Sequence, residues 1–239
     1  RQWRTTIQHR HKTVNRIVSL KNRIRALIKN HGIFQPQHKG SWWKKANIQW
    51  MRVLSASEVV TAEQLWRLQL ADLLDALQLL QKQCQSLTRY LDQYLDAQPG
   101  GRLLMSIPGV GPRTAEAVLA YTDTIERFNR TKQYCSYFGL TPKLDESGEV
   151  CRMGHISKHG PSVVRCFLVE SAWRTIKKSP ALKAFYERML GTHKHLKKIA
   201  IVAVARKLLC IMRAMLLTGE LFNESIIGSG QYHGVQKVA

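Results

Sequence analysis

Residues 13–32, TVNRIVSLKNRIRALIKNHG, set Ile17, Leu20, Ile24 and Leu27 at alternating steps of three and four, with Val14 and Ile28 widening the stripe. The spacing predicts an amphipathic helix that stops at Gly32, and every charge on its wet face is basic. A second helix is predicted from about Glu58 to Ala97. Along it Leu70, Leu73, Leu77, Leu80, Cys84, Leu87, Leu91 and Tyr94 keep an a/d heptad register for nearly four repeats. The intervening FQPQHKGSWWKKANIQW reads as a turn with a short aromatic segment. Its Trp42, Trp43 and Trp50 suit packing across a helical hairpin better than stacking on unpaired bases. An antiparallel hairpin of the two long helices is the economical arrangement. A dimeric coiled coil would bury the same stripe.

The periodicity breaks at QPGG, residues 98–101, and restarts beyond it, dividing the chain into 1–98 and 99–239. The sequence RLLMSIPGVGPRTAEAVLAYTD then reads as helix, hairpin and helix, the second helix running from Arg113 to Tyr121. In a helix-hairpin-helix, Gly109, Val110 and Gly111 would bring backbone N–H groups and a helix N-terminus up to a phosphate, with Arg113 beside them. The plainer reading is a tight turn between packed helices. A short helix follows at Lys132–Phe138, and LDESGEV fits a small two-stranded turn across Ser147 and Gly148. Helix signals resume at Pro161, with Val164, Phe167, Leu168, Ser171, Ala172 and Ile176 at helical spacing. The predicted fold is therefore mainly α: a long helical coiled-coil hairpin, then a compact α-helical domain containing the helix-hairpin-helix, with room for one small β-hairpin.

Charge adds a partner to this picture. Thirty-seven Lys and Arg stand against 16 Asp and Glu, a net charge of +21 with a pI near 10.2. Residues 1–57 hold 13 basic and no acidic residues, residues 58–98 hold 3 against 6, and the remainder 21 against 10. Such a balance favours nucleic acid, and Arg16, Arg23 and Arg25 on the first helix are candidate contacts. The longest apolar run, residues 199–217, is interrupted by Arg206, Lys207 and Arg213, so it predicts a buried or amphipathic helix rather than a membrane span. No secretory signal opens the chain, which points to the cytoplasm, and the lack of an initiator Met suggests a fragment or processed chain. Five scattered cysteines without a C-x-x-C pair argue against zinc and against a disulfide framework. His193 and His195, two apart, would face different ways on a helix, so no metal site is assigned there.

GHISKHGPSVVRCFLVESAW, residues 154–173, carries the candidate chemistry. Ser157 lies in a glycine-flanked loop before a helix start, between His155, Lys158 and His159. A loop serine commonly makes a local turn or cap, and a nucleophilic serine needs a base or metal to activate it. The pattern alone leaves both readings open. Arg152, Lys158 and Arg165 are placed in sequence to meet a phosphate.

The succession of the basic helix around LKNRIRALIKNHGIF, then IPGVGPRTAEAVLA, FGLTP, SGE and GHISKHGPSVVRCFLVESAW resembles the insertion-sequence-110 family of DEDD transposases with its 116 and 902 relatives. The likeness runs from about Val18 to Glu220, in several blocks in the family's order. It implies a DNA transposase or recombinase in which residues 99–239 form the transposase domain and Ser157, the serine of the ISK block, attacks DNA. It further implies a RuvC-like domain with four acidic residues and Mg2+, a bridge RNA as guide, a homo-oligomer assembled through the coiled coil, and a nucleoid-associated setting. The acidic tetrad should lie upstream of the basic helix, yet no acidic residue precedes Glu58. On this reading Mg2+ serves the complete enzyme and no ligand to it falls within these residues. A non-catalytic helix-hairpin-helix module that holds DNA or RNA is the alternative.

Overall fold

The first apolar stripe forms α1, Gln2–Asn30, in the computed structural model, which describes residues 1–56, 61–147, 150–192 and 194–225. The chain is mainly α-helical and divides into two compact units, Thr5–Tyr90 and Arg1–Arg4 with Leu91 onward. Gly32 stops α1 as the sequence predicts: its φ of +80° is a conformation that side chains disfavour. In the Thr5–Tyr90 unit, α1 packs with α2, Lys45–Ala56, and α3, Trp66–Asp96. The core is Ile24 and Ile28 of α1, Met51 of α2, and Leu70, Leu73, Leu74 and Leu77 of α3. Trp42, Trp43, Trp50 and Trp66 pack against it, in keeping with a packing role for the tryptophans.

Two boundaries differ from the sequence reading. The segment read as a turn with a short aromatic stretch contains α2, whose buried face is Asn47, Met51 and Ser55. Asn47 is fully buried because its amide is spent locally, accepting from the His38 N–H at 2.9 Å and donating to the His38 and Ser41 carbonyls at 2.9 Å each. The long helix α3 begins at Trp66 rather than near Glu58. Thr61 is extended, and a short 3-10 turn at Ala62–Gln64 precedes the helix.

The heptad stripe is buried within the chain at Leu70, Leu73, Leu77 and Leu91, half-buried at Leu80, Cys84 and Leu87, and exposed at Tyr94. Leu77 is 2 % exposed. An ammonium placed there has no partner in the apolar core, so Leu77→Lys is expected to destabilise this unit by roughly 3 kcal/mol or more. Urea denaturation followed by circular dichroism measures the loss, and an unchanged midpoint would contradict the core assignment.

In the other unit, α4 (Pro99–Met105), α5 (Pro112–Thr122), α6 (Thr131–Tyr137), α7 (Ser162–Thr175), α8 (Pro180–Leu190) and α9 (Lys197–Thr218) follow in order. Helix α9 is the apolar run of the sequence and the axis of the unit, contacting α4, α6, α7 and α8. It buries Ile201, Val204, Leu208, Leu209, Ile211, Met212 and Met215. Among the described residues no helix is long and apolar enough to cross a membrane. The one charged residue on the buried face of α9 is Arg213, which donates to the carbonyls of Phe128 at 2.7 Å and Asn129 at 3.3 Å, fixing the turn before α6. The four described cysteines are free thiols.

The small hairpin consists of β1, Pro142–Ser147, antiparallel to β2, Val150–Ile156. Its tip, Gly148 and Glu149, lies outside the described residues. The register runs from Ser147 opposite Val150 to Leu144 opposite Met153 and then shifts, so that Pro142 faces Ile156. Gly154 and His155 on β2 thus oppose Lys143 alone. A bulge of this kind re-aims the strand at its end, directly before Ser157.

Candidate functional site

Ser157 leaves β2 with its backbone N–H still donating to the Thr141 carbonyl at 2.8 Å. The next residue, Lys158, adopts φ +56° without being glycine, and Gly160 follows at φ +72°. These turns press the loop against the end of α6. A Cβ on Gly160 would sit 2.1 Å from the Tyr137 carbonyl oxygen, and one on Gly139 would sit 2.1 Å from the His159 carbonyl oxygen. Arg165, from the first turns of α7, closes the arrangement: one terminal nitrogen, Nη1, donates to His159 O at 2.6 Å, Gly160 O at 3.1 Å and Phe138 O at 3.3 Å. Partial burial lowers the Arg165 pKa from its ordinary value.

Within this braced loop the Ser157 Oγ is buried and has no hydrogen-bond partner. An unsatisfied buried hydroxyl costs on the order of 1–3 kcal/mol. Exposed Lys158, His155 and His159 surround it in sequence. On the exposed side of α7, partial burial of the thiol and the carboxylate of Glu170 push Cys166 up from the ordinary cysteine range. Helix α7 opens at Ser162 after Pro161, with no side chain capping its N-terminus.

The 106–111 turn occupies a different place. Gly109, at φ +95°, lies against the backbone of Thr175, where a Cβ would come within 2.6 Å of the amide nitrogen. Val110 is buried, and its N–H closes the turn onto Ile107 O at 3.0 Å. Thr114 of α5 shares a 2.7 Å hydrogen bond with Ser171 of α7. Gly109 and Val110 therefore pack the turn onto the C-terminal end of α7. Gly111 alone stays open: its φ is −108°, and a Cβ there would meet only Arg174 Nη1, at 3.8 Å. Arg113 turns inward, pairing with Asp92 and with the fully buried Glu116 at 2.9 Å.

The turn and the serine loop thus stand at opposite ends of α7. Fourteen helical residues place them roughly 20 Å apart. Of the other candidates, Arg16 and Arg23 are exposed on α1, whereas Arg25 is half-buried with its Nε buried and unpaired. Arg152 lies on β2 opposite Asp145, and its side chain is outside the described residues, as is His193. Sequence reasoning missed Arg174, which lies beside Gly111, and Arg127, whose guanidinium covers the rings of Phe128 and Tyr137 at 4.5 and 4.8 Å. Neither had a sequence signal beyond being one basic residue among 37.

The residues described around Ser157 do not suit Mg2+, which takes oxygen ligands with one or two carboxylates among them. Lys158, His159 and Arg165 offer no anionic oxygen. Among the described residues no group of three or more His, Cys, Asp and Glu is arranged to hold a metal ion.

Residues 101–187, which contain both the turn and the serine loop, match the transposase IS116/IS110/IS902 family. Over 218 residues the chain is 24 % identical to a probable family 20 transposase of Pseudomonas aeruginosa, an alignment covering 88 % of this chain and 63 % of that protein. It is 35 % identical over 127 residues to the transposase for insertion sequence element IS1111A of Coxiella burnetii, covering 50 % and 33 %. A pilin gene-inverting protein of Moraxella lacunata is 31 % identical over 126 residues, covering 52 % and 39 %. The chain spans between a third and just under two thirds of the length of these relatives.

Proposed function

We propose that the chain, whose residues 101–187 match the transposase IS116/IS110/IS902 family, supplies the serine nucleophile of a DNA transposase or site-specific recombinase. The observation that carries this reading is the Ser157 hydroxyl, buried without a partner in a loop braced by Gly139, Gly160 and Arg165. The Ser157 oxygen attacks a backbone phosphorus, a new O–P bond forms, and the bond to the departing sugar oxygen breaks. The phosphodiester energy is kept in a protein–DNA link, which the freed sugar hydroxyl of the new partner strand reverses. The serine proton passes to a base that reaches Oγ when the strand is bound. Lys158, exposed beside the serine, is the nearest cation in sequence for the attacked phosphate.

Carboxylates outside this site hold the Mg2+ in this proposal, on a RuvC-like domain acting with the chain, and a bridge RNA chooses the DNA. Relatives named as transposases and as pilin gene-inverting proteins support recombination as the reaction class. A complete transposase containing this chain, with Ser157 changed to Ala, tests the reading: recombination is lost and nucleic-acid binding is kept.

Binding itself rests on charge. Arg16 and Arg23, both exposed and seven residues apart on one face of α1, contact phosphates of DNA or RNA in this proposal. Reversing both to Glu is expected to weaken binding at least tenfold at about 0.1 M salt and to flatten the salt dependence by about two phosphate contacts. Titration of duplex DNA and structured RNA over a salt series measures this, and unchanged affinity would remove α1 from the interface.

A further inference from the structure

On the outer side of the serine loop lies an open cleft of about 590 Å³ whose lining includes Arg127, Phe128, Tyr137 and the loop residues His159 and Gly160. Its lining joins a cation to two aromatic rings. The exposed guanidinium of Arg127 lies 4.5 Å from the ring centre of Phe128 and 4.8 Å from that of Tyr137, and its Nη2 donates to the Tyr121 carbonyl at 3.1 Å. A hydrogen bond and two rings thus fix a side chain that ordinarily sweeps through solvent. A planar group held with one side on protein presents its other side as a stacking surface. Nucleobases stack on guanidinium and aromatic planes of this kind.

The rim supplies edge recognition. Asn129, Gln133, Ser136 and His159 line the cleft and are exposed, while no carboxylate among the described residues lines it. The Gln133 side-chain oxygen already accepts from the Arg130 N–H at 3.1 Å, which holds the residue in place and leaves its NH2 group to donate. Arg213 fixes the Phe128–Asn129 backbone from below. A pinned guanidinium and amide donors, with no acidic group among the described lining residues, match a base and its neighbouring phosphate better than a peptide or a cation.

We propose that this cleft holds one unpaired nucleobase of the strand that lies at Ser157. The inference takes its ligand class from the nucleic-acid reading above but does not depend on Ser157 being the nucleophile. Because His159 and Gly160 form both the cleft wall and the serine loop, seating a base there would register the adjacent phosphate against the serine.

The test uses the whole chain with short single-stranded oligonucleotides, DNA and RNA, each in a base-bearing and a fully abasic form. Wild-type protein is expected to bind the base-bearing strand about tenfold more tightly than its abasic counterpart. Arg127→Lys, which keeps the charge but loses the plane, is expected to lose most of that preference while binding abasic strands as wild type does. His159→Ala, at the serine-loop part of the lining, is expected to narrow the preference as well, which guards against an Arg127 variant that fails to fold. Preference for base-bearing DNA over RNA, or the reverse, names the strand. A wild-type preference that survives Arg127→Lys and His159→Ala unchanged, or no preference in wild type for either nucleic acid, would overturn the proposal. Ser157→Ala is expected to keep the preference for base-bearing strands, so the result stands apart from the fate of the nucleophile.

Discussion

Gly160→Ala is expected to lower recombination by about a hundredfold or more and to destabilise the chain, while Gly111→Ala leaves stability unchanged. The two glycines look alike in sequence. At Gly160 the backbone sits at φ +72°, and an added methyl would lie 2.1 Å from the Tyr137 carbonyl oxygen, which is backbone and cannot rotate away. The left-handed conformation alone costs roughly 1–2 kcal/mol for an L-residue. Relieving the overlap requires the loop to move away from α6 by an ångström or so, and a displacement of that size near a reacting group can cost on the order of a hundredfold in rate. Gly139→Ala produces the same strain from the facing side, against the His159 carbonyl at φ +68°. Gly111, at φ −108° with only Arg174 Nη1 at 3.8 Å, accepts a methyl without strain. Thermal melts paired with recombination assays separate the cases. Full activity and stability in Gly160→Ala would show that the loop is not held as described.

Ser157→Ala carries the larger functional effect, a loss of roughly a thousandfold or more in strand transfer, because no other group described at this position can form the covalent link. The fold should tolerate the change. The Ser157 hydroxyl makes no hydrogen bond, so deleting it breaks none and removes a buried unsatisfied group. Stability is therefore expected to hold or rise slightly, an outcome opposite to that of deleting a bonded serine such as Ser171, whose hydroxyl meets Thr114 at 2.7 Å. Nucleic-acid affinity is expected to stay within about twofold, since phosphate contacts by cations dominate such interfaces. A complete transposase that recombines normally with alanine at 157 would return the serine to the status of a turn residue.

Several of these features were legible in the sequence for identifiable reasons. The stripes of α1 and α3, the stop at Gly32, the hairpin after Pro142 and the start of α7 beyond Pro161 each rest on a local rule that tertiary packing did not override. Helix α2 was missed because its buried positions, Asn47, Met51 and Ser55, are mostly polar, so no apolar period announces it. Burial of Asn47 depends on carbonyls at His38 and Ser41 that only the folded turn brings within reach. Among the site residues, Ser157 came from its motif, but the contacts of Gly109 with Thr175 and of Arg113 with Glu116 are made across the fold. A glycine-rich hairpin pattern could not show which of its glycines packs against a helix and which stays open. Position in sequence suggests Arg165 as a phosphate ligand; in the structure one of its nitrogens holds the carbonyls of Phe138, just beyond α6, and of His159 and Gly160 in the serine loop.

In the proposed reaction a protein–DNA phosphodiester forms at residue 157. Trapping the covalent complex of a complete transposase on a nicked or suicide DNA substrate, digesting it, and locating the nucleotide-bearing peptide by mass spectrometry reads out where that bond forms. A nucleotide remnant on Ser157, within the loop between β2 and α7, is expected. A remnant on any other residue, or strand transfer that proceeds with no protein-linked strand, would contradict it.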